Sequence, residues 1–114
     1  MTLRELVQLI EAEVVTGEGR LDEKVTGVYV SDLLSDVMGH AREGEVWLTI
    51  QTHTNVVAVA LLLNLAAVIF TADAKPDPLT VEKAQNEGTV LLTTNLSTFE
   101  TAGRLYCKLN ENPA

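Results

Sequence analysis

Trp47-Leu48-Thr49-Ile50, then Gln51-Thr52-His53-Thr54-Asn55, then Val56-Val57-Ala58-Val59-Ala60-Leu61-Leu62-Leu63, is the stretch that decides the fold. Its first four residues close an apolar run begun at Val46 and read as a buried strand. Five polar residues follow, and then an apolar run of helical length. A polar loop between the carboxyl end of a strand and the start of a helix is a favoured ligand position in an open α/β sheet. Gln51, Thr52, His53, Thr54 and Asn55 are therefore the first candidate ligand-binding residues.

Downstream the alternation continues. Strand 46–50 leads to helix 55–64 and then to strand 66–71. Asp77 caps the next helix, with Pro78 at the first helical position, where a missing N–H costs nothing. Gly88 ends that helix, and 89–93 is a strand. Ser97 and Glu100 form a capping box for a last helix reaching about Leu109, with Phe99, Ala102, Leu105, Tyr106 and Leu109 on its apolar face. The order β-α-β-α-β-α with right-handed crossovers makes these strands parallel. The expected fold class is α/β, a small single-domain sheet with three parallel βα units in the C-terminal half. Helix 55–64 is apolar almost all round, which calls for cover on more than one side. A second copy of the chain, in a homodimer, is the expected source of that cover.

Upstream, Thr2 and Glu5 make a capping box for a first helix whose apolar face is Leu3, Leu6, Val7 and Ile10. A short strand over 13–16 runs into the turn Gly17-Glu18-Gly19-Arg20. A strand over 25–30 ends at Ser31-Asp32. A short helix over 32–41 carries Leu33, Leu34, Val37 and Met38 as its apolar positions, and Arg42-Glu43-Gly44-Glu45 turns into strand 46–50. One domain over 1–110 is expected, with a frayed tail over 111–114.

The 114 residues are 46% hydrophobic, so the chain buries a core. Sixteen acids against eight bases give a net charge of −8. That balance, with no cluster of Lys or Arg, argues against nucleic acid and against anionic membranes as partners. Cys107 is the only cysteine, which removes an intrachain disulfide and a cysteine zinc cluster. The apolar stretch 56–70 is too short for a membrane span. Residues 1–5 lack the regions of a signal peptide, and a cytoplasmic protein is expected.

Several of these features resemble the DRTGG domain family. Gly27-Val28-Tyr29-Val30-Ser31-Asp32 and Glu43-Gly44-Glu45-Val46-Trp47-Leu48-Thr49 are similar to the start of such domains. Val90-Leu91-Leu92-Thr93-Thr94-Asn95-Leu96-Ser97-Thr98 is similar to their last strand and polar loop, and residues 73–88 match in position. The resemblance implies a fold shared with the N-terminal domain of HPr kinase/phosphorylase and, more distantly, with the N-terminal domain of Mur ligases. It also implies a regulatory or dimer-forming role. The chain departs from the namesake residues. Thr52-His53 stands where relatives carry Asp-Arg, and Thr71-Ala72-Asp73 stands where they carry Thr-Gly-Gly. An arginine anion clamp is absent, so a phosphate contact does not carry over.

The candidate ligand-binding set is completed by Asp32, after the strand beside 46–50, and by Thr94 and Asn95, after the third parallel strand. All lie at one edge of the expected sheet. Free N–H groups at the start of helix 55–64 favour an anion there. The competing reading of the first loop is helix capping by Thr52 or Thr54, and of Asp32 an Asx-type cap on the helix that follows. His40 and His53 have no recognised metal spacing, and His40 suits the end of its short helix. No metal and no cofactor are expected. The chain has no G-x-x-x-x-G-K-[ST] or G-x-G-x-x-G run and no recognisable catalytic set. The expectation is a non-catalytic regulatory or ligand-sensing domain, with a small anionic metabolite or nucleotide as ligand. The alternatives are a protein–protein adaptor and, last, a small enzyme using His53 as acid–base with Asp32 orienting it.

Overall fold

The computed structural model describes residues 1–111. The tail expected over 111–114 falls, beyond Glu111, outside them. In chain order the elements are α1 (Leu3–Leu9), β1 (Glu13–Thr16), a 3₁₀ turn (Glu18–Arg20), β2 (Gly27–Val30), α2 (Leu34–His40), β3 (Glu45–Thr49), α3 (Asn55–Leu63), β4 (Ala67–Phe70), α4 (Pro78–Glu87), β5 (Leu91–Thr93) and α5 (Thr98–Leu109). The sheet order is β1-β5-β4-β3-β2. Strands β2 to β5 are mutually parallel, and β1 closes the far edge antiparallel to β5. The fold class read from the sequence is the one observed.

Both faces of the sheet are covered, which is why its strands read as unbroken apolar runs. Val46, Leu48, Ala67, Ile69 and Leu92 point to one face, where α1 and α5 add Leu3, Leu6, Ile10 and Leu105. Trp47, Val68, Phe70 and Leu91 point to the other, where α2, α3 and α4 add Val37, Val56, Val57, Ala60 and Ala84. The side-chain period of two along each strand assigns these sets.

Local signals account for most element ends. The Thr2–Glu5 capping box is complete. The Ser97 hydroxyl accepts the Glu100 N–H, but the Glu100 carboxylate turns to Arg104 at 2.9 Å, so that box is only half made. Gly88 ends α4 in the left-handed conformation, as does Asn64 for α3. Asp77 precedes α4 with Pro78 in the first turn, yet its side chain makes no cap bond.

Three expectations are corrected. Helix α2 begins at Leu34 without a side-chain cap, and Leu33 and Met38 are exposed, leaving Leu34 and Val37 as its inward residues. On α5, Leu105 is buried while Phe99 and Tyr106 face outward. The flanks of α3 are covered by α2 and α4 of the same chain. Only Ala58, Leu61 and Leu62 remain exposed on its apolar surface, so its composition needs no second copy.

A polar cluster fastens α2 to the edge strand. The Tyr29 hydroxyl donates to Asp36 at 2.8 Å, and His40 Nδ1 lies 3.1 Å from the same carboxylate, its ring stacked parallel to that of Tyr29. His40 also sits 3.0 Å from the Asp36 carbonyl, closing the helix end as expected. Hydrogen bonds from Tyr29 first, and from Ser31 next, hold the Asp36 carboxyl below its ordinary pKa. A depressed carboxyl stabilises the fold above its unfolded pKa of about 3.9, and that contribution is lost as pH falls through the folded value. Asp36→Asn is therefore expected to lower the melting temperature near neutrality and to flatten the acid limb of the profile below about pH 4, where the two chains converge. An unchanged acid limb would remove Asp36 as its source.

Candidate functional site

Because β2 to β5 are parallel, the loops after all four open at one edge of the sheet. The candidate residues lie there as expected: Asp32 after β2, residues 51–55 after β3, and Thr94 and Asn95 after β5. Their relation to one another differs from the expectation. Strand order runs from β2 to β5 without reversal, so successive crossovers place α2, α3 and α4 on the same face. No topological switch point lies beside β3. The only diverging loops are those after β4, which leads to α4, and after β5, which leads to α5 on the opposite face.

Asp32 braces two strands. Its Oδ1 accepts from the Thr49 hydroxyl at 2.8 Å and from the Ile50 N–H at 2.9 Å. Its carbonyl accepts from the Gln51 side-chain amide at 2.9 Å, and the Gln51 N–H donates to the Thr49 hydroxyl at 3.1 Å. This replaces the Asx-type cap, because the α2 entry is instead turned by the Ser31 hydroxyl accepting the Leu33 N–H. It also separates Asp32 from His53. The His53 side chain is exposed and makes no hydrogen bond or ion pair with the described residues, so the acid–base pairing of His53 with Asp32 is not formed.

The start of α3 has no side-chain cap. Neither Thr52 nor Thr54 plays that part, which corrects the capping reading. The Val56 N–H donates to the His53 carbonyl at 3.1 Å and the Val57 N–H to the Thr54 carbonyl at 3.0 Å, so part of the first turn is satisfied locally. The side chains of Thr52, His53, Thr54 and Asn55 have no partner among the described residues. The Thr52 carbonyl is held by the Asp77 N–H at 3.1 Å and the Thr80 hydroxyl at 2.7 Å, which fixes this loop against α4.

Thr94 is not open to a ligand. It is buried, its hydroxyl donates to the Ile10 carbonyl at 2.7 Å, and its oxygen accepts the Leu96 N–H at 3.2 Å. Asn95 is exposed and unpartnered among the described residues. It sits two strands from β3, with the β4 loop between them, and no described hollow is lined by both loops.

The β4 loop holds the feature that residue types alone did not expose. Ala72 and Asp73 both take left-handed backbone angles, φ 54° and 63°. These are the positions where the resembled family carries Gly-Gly, and a left-handed pair is what glycine adopts without strain. Here the conformation is kept by hydrogen bonds to the β5 loop. The Ala72 N–H donates to the Leu96 carbonyl at 2.8 Å and the Asp73 N–H to the Thr94 carbonyl at 3.1 Å. The Thr71 and Thr98 hydroxyls meet at 2.6 Å. These bonds close the one crevice that the diverging loops open. A left-handed alanine costs roughly 1–2 kcal/mol, and glycine returns about 0.4–1 kcal/mol of that to unfolded-chain entropy. Ala72→Gly is thus expected to raise stability by about 1 kcal/mol and the melting temperature by roughly 4 °C. A lower melting temperature would contradict this backbone.

Among the described residues no group of three His, Cys, Asp or Glu side chains is placed to hold a metal, and no helix is long and apolar enough to cross a membrane. No curated protein matches the chain. Among solved structures, it is similar to the CBS and DRTGG domains of the regulatory region of Clostridium perfringens pyrophosphatase, complexed with its activator, diadenosine tetraphosphate. The TM-score is 0.71 at 21% identity, over 91% of this chain and 45% of that one. That likeness carries the fold, and the chain spans less than half the length of this neighbour. The model of the DRTGG domain matches residues 5–106, nearly the whole of the sheet and its helices, and the chain belongs to the DRTGG domain family.

Proposed function

We propose that this chain is a non-catalytic, ligand-sensing regulatory domain, acting as a homodimer and taking a small anionic ligand of the nucleotide class at the edge where the parallel strands end. The observation that carries this reading is the β3–α3 loop. It is pinned at the Thr52 carbonyl, yet it presents the Thr52 and Thr54 hydroxyls, the His53 imidazole and the Asn55 amide without partners among the described residues. An uncapped helix start favours negative charge. The family and the activator-bound regulatory region of the structural neighbour support a nucleotide over other anions.

Thermal shift with a panel of mononucleotides, dinucleotides and diadenosine polyphosphates tests it. A ligand at one hundred times its dissociation constant adds about 2.7 kcal/mol, or roughly 10 °C for a domain near this size. His53→Ala is expected to shrink that shift while leaving the unliganded melting temperature within about 2 °C, since an exposed, unpartnered side chain contributes little to stability. A flat response to the whole panel sinks the ligand reading.

The adaptor reading has an observation of its own, the outward Phe99 and Tyr106 on α5. Binding of a different protein, with no response to nucleotides, would favour it.

A further inference from the structure

We propose that the homodimer of the preceding section, on which this inference rests, forms through the groove between α5 and β2, with each copy's Phe99 and Tyr106 seated in the groove of the other. On the first face of the sheet only α1 and α5 lie over five strands, and α5 packs against β2 and β3. Beside α5, above the edge strand, is a hollow of about 690 Å³. Among the residues lining it are the small or short Gly27, Val28, Ala102 and Gly103 and the strongly exposed Phe99 and Tyr106. Phe99 is 89% exposed and Tyr106 68%, seven residues apart and so two turns along the same side of α5. Large aromatic side chains so exposed mark a contact surface.

Two observations choose a second copy as the occupant. The first is charge. Every residue lining the hollow is uncharged, in a chain whose net charge is −8. Two such chains repel, and they meet with least opposition where neither presents a carboxylate; a basic partner gains no ion pair there. The second is shape. A two-fold contact requires one patch to be complementary to itself. This patch holds two strongly exposed rings and several small side chains in one lining, so two copies related by a two-fold axis can set ring against small residue in both directions.

The test is sedimentation equilibrium of the whole chain, unliganded, from about 1 to 100 µM, the range of ordinary reversible dimers. It compares the natural sequence, the double variant Phe99→Glu/Tyr106→Glu, and Leu62→Glu on the exposed stripe of α3. All three substituted side chains are more than half exposed, so the variants keep the fold, which circular dichroism melting verifies. The expected result is a dimer for the natural chain and for Leu62→Glu, with the dissociation constant of the double variant raised at least thirtyfold, roughly what losing a hot spot does. A dimer lost in Leu62→Glu and kept in the double variant overturns this surface and leaves the homodimer reading intact. A monomer throughout, including the case in which a different protein takes the groove, overturns both and leaves the ligand reading to the thermal-shift panel. Any pattern other than selective loss in the double variant counts against the proposal.

Discussion

Replacing Trp47 by alanine is expected to cost about 3–5 kcal/mol, the usual range for a large aromatic removed from a core. Trp47 is fully buried in β3, the strand between β2 and β4, and packs into the second hydrophobic cluster with Val56, Val57 and Val37. Two terms add. The surroundings of the lost indole relax only in part, which leaves a cavity. The indole Nε1 also donates to the Ser31 carbonyl at 2.7 Å, and that carbonyl loses its partner. A domain of this kind has only about 5–15 kcal/mol in total, so the variant loses at least a fifth of its stability and in the marginal case unfolds. Trp47→Phe separates the terms, since it keeps most of the volume and loses only the hydrogen bond, at about 1–2 kcal/mol. Urea unfolding followed by circular dichroism measures both, because the variants lack the chain's only tryptophan. A cost below about 1.5 kcal/mol for alanine would mean that the indole is not enclosed as described. The effect reaches the candidate site, because the indole holds Ser31 and the next residue is Asp32, the brace on Thr49 and Ile50.

The order of elements was legible in the sequence because its signals are local. An apolar run bounded by Gly, Pro, Asp or Ser announces a buried strand or helix wherever it lies. The box at Thr2, the proline at 78 and the glycine at 88 act within one helical turn of themselves. What was not legible depends on residues far away in sequence. Helical spacing grouped Phe99, Leu105 and Tyr106 on one apolar face, but which of them is buried depends on where α1 and β2 lie beside α5. The apolar girth of α3 suggests a second chain by composition alone, but α2 and α4 supply the cover. Asp32 looked like a local cap and is instead a partner of β3. The Ala72-Asp73 pair carries one readable signal, its position against Gly-Gly in relatives, and by residue type alone that signal is only a lost motif. The structure gives it a backbone meaning: residues 72 and 73 take the left-handed angles that glycine adopts without strain.

Thr94 and Asn95 show how much this distinction matters for finding the site, because adjacent residues with the same apparent promise have opposite roles. Thr94→Val keeps the size of the side chain and removes its hydroxyl. The Ile10 carbonyl then loses its donor and the Leu96 N–H its acceptor, at contacts of 2.7 and 3.2 Å. An unsatisfied buried polar group costs about 1–3 kcal/mol, and the apolar character of the new methyl offsets part of the sum, so a loss of about 2–4 kcal/mol is expected. The loss also loosens the loop onto which Ala72 and Asp73 are bonded, since Leu96 and Thr94 supply the carbonyls that hold them. Asn95→Ala removes an exposed amide with no partner among the described residues and is expected to change stability by less than about 0.5 kcal/mol. Chemical denaturation of the two variants checks the contrast, and equal effects would undo the assignment of Thr94 as a tie between α1 and the β5 loop. The consequence for function is direct. A Thr94 variant that fails to bind a nucleotide shows only a disturbed loop. Asn95→Ala and His53→Ala alter the exposed groups on an undisturbed fold, so a loss of ligand response in either one bears on the site itself.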